Sequence, residues 1–243
     1  MQLLEDRQPP SAAAALTLVL GGTGGIGAAL VHALEQRGHR VLAVGRRTDP
    51  SVDYTDPASV ERLAAHLARR LEASGETLQT LIVATGVLHQ DAVQPERSWQ
   101  HLDATALQQL FLVNTVGPAL VMRHLLPLLP RQGRCVAAFL SARVGSIGDN
   151  RLGGWYGYRA SKAALNQLVR TAAIELARRN KQALCVALHP GTVDTPLSKP
   201  FSKTGLDVRP PAVAAADLLG VLDNLPDGAS GRFFDHQGVE VPW

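Results

Sequence analysis

The sequence predicts a doubly wound α/β fold, with a parallel sheet of seven strands and helices on both faces. Three observations carry this. Short apolar runs alternate with helix-patterned stretches along all 243 residues. The runs themselves do not alternate apolar with polar, so their strands are covered on both faces, as parallel strands joined by right-handed crossovers are. A cluster of glycines follows the first run directly and opens the first helix. Residues 1–243 contain no internal repeat and no long linker, which predicts a single domain able to bury its core without disulfide or metal.

The elements follow in order. LTLVL (16–20) is the first strand, and a helix then runs to Arg37-Gly38. RVLAVG (40–45) is the second strand and SVDY (51–54) a short third. Val60, Leu63, Ala64, Leu67 and Leu71 share one face of a helix over Pro57–Ala73. TLIVA (80–84) is the fourth strand, and one long helix spans Leu102 to Leu126. RCVAAFLS (134–141) is the fifth strand, before a helix over Tyr156–Arg179. ALCVALH (183–189) is the sixth, ended by Pro190-Gly191. The last helix, Pro211–Leu225, starts on proline as helices prefer, and GRFFD (231–235) is the seventh strand. The 196–211 stretch follows a strand's carboxyl end, where a substrate lid is expected.

Composition excludes several classes. Apolar residues are 46% and charged residues 19%, which is globular rather than disordered. The net charge is only +3, so no polybasic nucleic-acid surface is expected. From Gln8 to Leu34 there are 27 residues without formal charge. A signal peptide would need a positive start, and MQLLEDR is not one. The continuous apolar part, Ala12–Leu20, is too short to cross a bilayer, so no membrane partner is expected. With no address signal the expected location is the cytoplasm. Cys135 and Cys185 read as reduced core thiols. No metal is expected, because none of the eight histidines has a metal-ligand spacing.

The glycine turn explains the missing charge. Gly21, Thr23, Gly24, Gly25, Ile26 and Gly27 join strand to helix. Glycine permits the tight turn and lets backbone approach a pyrophosphate, while the helix N-terminus offers free N–H groups. A carboxylate there would repel the phosphates. The bland alternative is a tight turn with no ligand. The second strand then ends in Arg46-Arg47 rather than in an acid. An acid would hold the 2′-hydroxyl of NAD; guanidinium suits a 2′-phosphate. The expectation is NADP(H) in preference to NAD(H), against the alternative of two solvated surface charges.

Tyr158 and Lys162, four apart on a helix, share one face. A neighbouring ammonium favours phenolate and is expected to lower the tyrosine pKa towards working pH. Such a tyrosine can pass a proton to a carbonyl oxygen or take one from an alcohol. The pair alone is common on any amphipathic helix.

The order of the glycine turn, Asn114, Tyr158-Arg-Ala-Ser-Lys162 and Pro190-Gly191 resembles the short-chain dehydrogenase/reductase family over nearly the whole chain. FFDHQGVEVPW and GSIGDNRLGGWYGYRASKAALN look most like the branch of the C-factor and sniffer-type carbonyl reductases. The resemblance implies a Rossmann fold with a seven-stranded sheet, and a homodimer or homotetramer. It implies Tyr158 as general acid/base, Lys162 on the nicotinamide ribose and Asn114 holding a relay water. It places Asp53 at the adenine, with Pro190, Gly191, Val193 and Thr195 beside the nicotinamide carboxamide. The substrate implied is a small carbonyl compound or its alcohol.

Two departures stand out. The family's Asn-Asn-Ala-Gly reads Val83-Ala84-Thr85-Gly86, which keeps the glycine beside the cofactor but loses side-chain hydrogen bonds. Ala142 falls where the family has its substrate-orienting serine. Ser141 replaces it if the strand ends or bulges early, Ser146 if it swings in from the following turn; the third alternative is that no serine serves. Trp155 either lines the substrate pocket or simply packs, and His189 ends its strand. These departures motivate a rival function, an NADP(H)-binding regulatory or developmental protein of low turnover.

Overall fold

A computed structural model describes residues 14–89, 94–199 and 207–243. The strands are β1 (Ala15–Leu20), β2 (Arg40–Val44), β3 (Thr77–Val83), β4 (Cys135–Leu140), β5 (Ala183–His189), β6 (Thr192–Val193), β7 (Val208–Arg209) and β8 (Phe233–Asp235). The helices are α1 (Gly25–Gln36), α2 (Ala58–Ser74), α3 (Ala104–Phe111), α4 (Gly117–Leu125), α5 (Tyr156–Arg179) and α6 (Pro211–Asp223). The main sheet has six parallel strands in the order β2-β1-β3-β4-β5-β8. The order reverses between β1 and β3, so their carboxyl ends flank the switch point where such sheets bind ligands.

The apolar strands split their side chains between two cores. Leu16, Leu18 and Leu20 of β1 join Ala137, Phe139, Ala183, Cys185 and Ala187 beneath α2, α4 and α5. Val19, Ile82, Val186 and Leu188 face α1 and α6 with Leu30, Leu34, Leu218 and Leu222. Both cysteines are buried and free.

Six strands rather than seven is a correction, and 51–54 is its cause. Val52 N–H still reaches Gly45 O at 3.0 Å. Asp53 N–H, however, goes to Ser59 Oγ (3.0 Å), and the Asp53 carboxylate folds back onto Thr55 N–H at 2.9 Å. Side chains at the approach to α2 take the donors that a strand would need.

The long helix predicted over 102–126 is also divided. Residues Leu112–Val116 form a wide π turn between α3 and α4. The stretch Ala104–Leu128 is long and apolar enough to cross a membrane by length and composition. Here Leu110, Val121, Met122 and Leu125 are buried in the fold. Of the expected lid, 200–206 lies outside the described residues; on either side of it β6 pairs with β7. Residues 8–13 of the uncharged run lie outside them too, and from Ala15 on the run is β1, the glycine turn and most of α1.

Candidate active site

The glycine turn is tight because glycine is required. Gly21 N–H bonds Val44 O (2.8 Å) and Gly24 N–H bonds Gly21 O (3.0 Å). At Gly21 φ is +79°, and a Cβ would lie 2.9 Å from the Ala84 carbonyl carbon. A Cβ on Gly27 would lie 2.1 Å from Gly21 O, so only glycine lets α1 start this close to β1. The helix begins without a side-chain cap and without an acid in its first turn. Its positive end is therefore open to an anion. Thr195 approaches from the loop after β6, its Cγ2 2.7 Å from where a Gly25 Cβ would stand. Thr23 Oγ1 lies 2.5 Å from a Cβ position on Gly45, which ties the turn to the end of β2.

Arg46 and Arg47 follow Gly45 and are both exposed. The Thr48 hydroxyl shapes their turn by accepting from Gly45 N–H (2.9 Å) and donating to Pro50 O (2.6 Å). Among the described residues neither guanidinium has an ion-pair partner within hydrogen-bond distance. Asp53 stands near Arg46. Its bonds from Thr55 first, and the Arg46 charge after them, hold its carboxyl below the ordinary value.

Gly86, Asn114 and Lys162 meet at one point beyond β3 and β4. A Cβ on Gly86 would lie 3.3 Å from Lys162 Nζ and 3.5 Å from Asn114 Oδ1. Ala84 is pinned to β1 through its N–H to Leu20 O (2.8 Å), and Thr85 Oγ1 is 3.0 Å from the Tyr54 hydroxyl. Asn114 is fully buried in the π turn, a feature that recurs at functional sites. Its amide clamps the Val87 backbone, accepting from N–H at 2.9 Å and donating to O at 2.8 Å. It also donates to Ser161 Oγ (3.1 Å), which in turn donates to Tyr158 O (2.9 Å). The chain from Asn114 through Ser161 thus reaches the backbone of Tyr158, and Ser161 escaped the sequence reading although it sits inside the Tyr-Lys motif.

Tyr158 and Lys162 are both buried, with Lys162 Nζ 5.9 Å from the tyrosine ring centroid. The ammonium donates to Leu140 O (2.9 Å) at the end of β4. Burial lowers the lysine to about 8 and holds the Tyr158 phenol above its usual 10. The expectation of an ammonium-lowered phenol is thus corrected. Loss of water outweighs an ammonium already bonded to a carbonyl.

Neither serine keeps a free hydroxyl hydrogen. Ser141 Oγ donates to Asn166 Oδ1 (2.6 Å), and the amide orientation is fixed because Asn166 Nδ2 donates to Gly145 O (3.3 Å). Ser146 Oγ donates to Pro242 O (2.5 Å), an acceptor only, and itself accepts from Asp149 N–H (3.1 Å). Both candidate hydroxyls are thus engaged within the fold. Ala142 stands in the slot with extended backbone.

The loop entering α5 is unusual. Gly153, Gly154 and Trp155 have φ of 64°, 67° and 53°, three left-handed residues in a row. Trp155 stands edge-on to the Tyr158 ring at 6.3 Å. Arg159 ties this loop to α5 by donating to Gly154 O (2.9 Å) and Gly153 O (3.1 Å). His189 ends β5 as expected and meets His236 edge-on at 6.4 Å. Burial first, then the charge of His236, takes His189 down to about 4. Gly191 (φ +78°) passes close to both His236 and Arg209, and Arg209 Nη1 donates to Pro190 O (3.5 Å). Val193 is buried in β6.

These residues fit a dinucleotide. The turn at 21–27 leaves a cradle that side chains would fill, next to an open helix N-terminus. Gly86 leaves room above Lys162 and Asn114. Among the described residues no group of three or more His, Cys, Asp or Glu is placed to hold a metal ion.

Comparison with known proteins agrees. A family model described as short chain dehydrogenase matches residues 15–205. A 1-hydroxy-2-glutathionyl-2-methyl-3-butene dehydrogenase of Rhodococcus sp. (strain AD45) is 34% identical over 237 residues, covering 93% of this chain and 98% of its own. C-signal of Myxococcus xanthus is 39% identical over 142 residues, 58% of this chain and 81% of that protein. The NADPH-bound carbonyl reductase from chicken fatty liver is 25% identical with a TM-score of 0.81, covering 96% of each chain. The carbonyl reductase Sniffer of D. melanogaster shares the fold, with a TM-score of 0.80, 21% identity and coverage of 95% of this chain and 100% of that one. With its glycine turn, its Tyr158–Lys162 pair and these relatives, the chain belongs to the short-chain dehydrogenase family of oxidoreductases.

Proposed function

We propose that the protein interconverts a carbonyl and an alcohol with NADP(H), and that Tyr158 carries the proton. The observation behind this is the convergence of Lys162 and Asn114 on the open face of Gly86, with Tyr158 on the same helix as Lys162. When bound, the nicotinamide supplies or accepts the hydride. Residues 21–27, 84–86, 190–191, 193 and 195 hold the dinucleotide, and Asp53 lies towards its adenine. Arg46 and Arg47 face the 2′-phosphate, which is why NADP(H) is preferred.

Tyr158 is protonated at neutral pH because burial holds its phenol high. It is therefore set to give its proton to a carbonyl oxygen, the direction of reduction. Lys162 stays cationic below about pH 8. A positive charge beside the phenol stabilises the phenolate left after proton transfer. Asn114 holds Val87 and, through Ser161, the backbone of Tyr158, which keeps the path from the phenol to solvent in place. Ala142 offers no hydroxyl to the substrate oxygen. One such donor is worth about 2.7–4 kcal/mol elsewhere, so its absence slows the reaction without removing it.

The substrate is a small carbonyl compound or alcohol; the Rhodococcus relative is by its name a dehydrogenase of a hydroxy compound bearing a glutathionyl group. The assembly we expect is a homodimer or homotetramer in the cytoplasm, with neither nucleic acid nor membrane as partner. The test is NADPH oxidation over a panel of aldehydes and ketones by the wild type and Tyr158→Phe. Turnover by the wild type that vanishes in the variant supports the reading; equal turnover by both sinks it. A second reading, a low-turnover NADP(H)-binding signalling protein, is favoured by Ala142 and by the likeness to C-signal. Tight NADPH binding without turnover on any member of the panel would select it.

A further inference from the structure

The helix that carries Tyr158 begins without a cap of its own. Its N-cap residue is Trp155, which has no capping side chain, and its first turn contains no acid. An α-helix leaves its first N–H groups unpaired and its N-terminus positive, so a helix end inside the fold needs an acceptor from elsewhere. Glu96 brings one from 61 residues away. Both its carboxylate oxygens lie 3.2 Å from Gly157 N–H, and its own carbonyl accepts Trp155 N–H at 2.6 Å. The residue is 4% exposed, so the carboxylate is fixed rather than solvated.

The surroundings are shaped around this contact. A Cβ on Gly157 would lie 2.9 Å from Glu96 Oε1 and 2.7 Å from Leu110 Cδ1, so only glycine admits the carboxylate there. Gly154 passes the Glu96 carbonyl at 3.4 Å from its Cβ position. The three left-handed residues 153–155 turn the chain so that Trp155 N–H meets Glu96 O. Gly157, the bonded residue, directly precedes Tyr158.

We propose that Glu96 is a positioning residue for Tyr158: its buried carboxylate caps the helix that bears the tyrosine and fixes where the phenol stands relative to Lys162. The proposal rests on the reading of Tyr158 as the proton donor. A misplacement of about 1 Å at a reacting group can cost a hundredfold in rate. The cap therefore acts chiefly on turnover, because the glycine turn at 21–27 and the loops at 84–86 and 190–195, which make most of the cofactor cradle, belong to other elements.

The test compares Glu96→Gln with Glu96→Met. The two side chains are of similar length, but only glutamine keeps an oxygen to accept Gly157 N–H. NADPH and 4-nitrobenzaldehyde, an activated aldehyde, serve as probes. For Glu96→Met we expect kcat to fall about ten- to hundredfold. KM for the aldehyde and the NADPH Kd should stay within about threefold, and Gly157 amide exchange should speed up. Glu96→Gln should recover most of the lost kcat and the amide protection. Unchanged kcat in Glu96→Met overturns the proposal. So does a parallel loss of kcat, cofactor affinity and melting temperature, which would mark a general folding role. If Glu96→Met does not fold, Glu96→Gln decides alone: fast Gly157 exchange with full kcat also overturns it. Tyr158→Phe is measured alongside. If it keeps activity, or the wild type has none, the reading of the reaction has failed, and amide exchange still reports on the cap.

Discussion

Removing either serine hydroxyl should cost stability and leave chemistry almost untouched. Among the described residues Ser141 Oγ is the only donor to Asn166 Oδ1, and both side chains are buried. Ser141→Ala leaves that oxygen unpaired, at about 1–3 kcal/mol. Ser146→Ala leaves both Pro242 O and Asp149 N–H without their partner, which puts it at the upper end of the same range. For a chain of this size each kcal/mol moves the melting temperature by about 2–4 °C, so falls of about 2–12 °C are expected. If either hydroxyl polarised the substrate, kcat would instead fall about 10²–10³-fold. The assay pairs thermal unfolding with saturating NADPH oxidation on each variant. Within about twofold of wild-type kcat, the assignment of both serines to structural bonds stands; a hundredfold loss at unchanged melting temperature refutes it. The converse change, Ala142→Ser, puts a hydroxyl into the slot and should raise kcat.

Three further outcomes are expected. Arg46→Ala should lower kcat/KM for NADPH by roughly ten- to a hundredfold, the worth of a charged hydrogen bond, with little change for NADH; equal losses with both cofactors would show that Arg46 does not read the 2′-phosphate. Lys162 has a folded pKa of about 8 against 10.5 unfolded, so the unfolded state binds more protons between these values and stability relative to Lys162→Met should rise with pH across that window. A gap in melting temperature between the two proteins that stays flat from pH 8 to 10.5 would contradict the buried ammonium. Glu76 is buried between Arg40 and Arg70, whose hydrogen bonds hold its carboxyl at about 2. Its stabilisation is complete above about pH 4.5 and is lost as pH falls towards about 2, so Glu76→Gln should flatten acid unfolding over that range.

What was legible in the sequence is what depends on near neighbours. The glycine turn needs only the strand before it and the helix after it, so Gly21, Gly25 and Gly27 announce it. Tyr158 and Lys162 share a face because they are four apart. Residues 51–54 misled because the alternation of Val52 and Tyr54 with polar residues suits a strand and says nothing of the Ser59 hydroxyl six residues after Asp53. The π turn at Asn114 was hidden because its sequence, LVNTV, is as helical in pattern as its flanks. The serines could not be assigned because their partners lie 25 and 96 residues away. Glu96 gave no signal at all. Its partner is a backbone amide, and a backbone amide has no letter in the sequence.

The π turn at 112–116 has one consequence for how this chain can change. A wide turn amounts to one additional residue within an otherwise regular helix. Point substitution therefore does little to it, whereas deleting a single residue between Leu112 and Val116 would let α3 run straight into α4. Everything on one side of the deletion would then rotate by about 100° about the helix axis relative to the other. Asn114 would leave Val87, and Tyr54 would lose the flat surface that Gly117 gives its ring. For this helix the reading frame of residues, more than their identity, is what the site depends on.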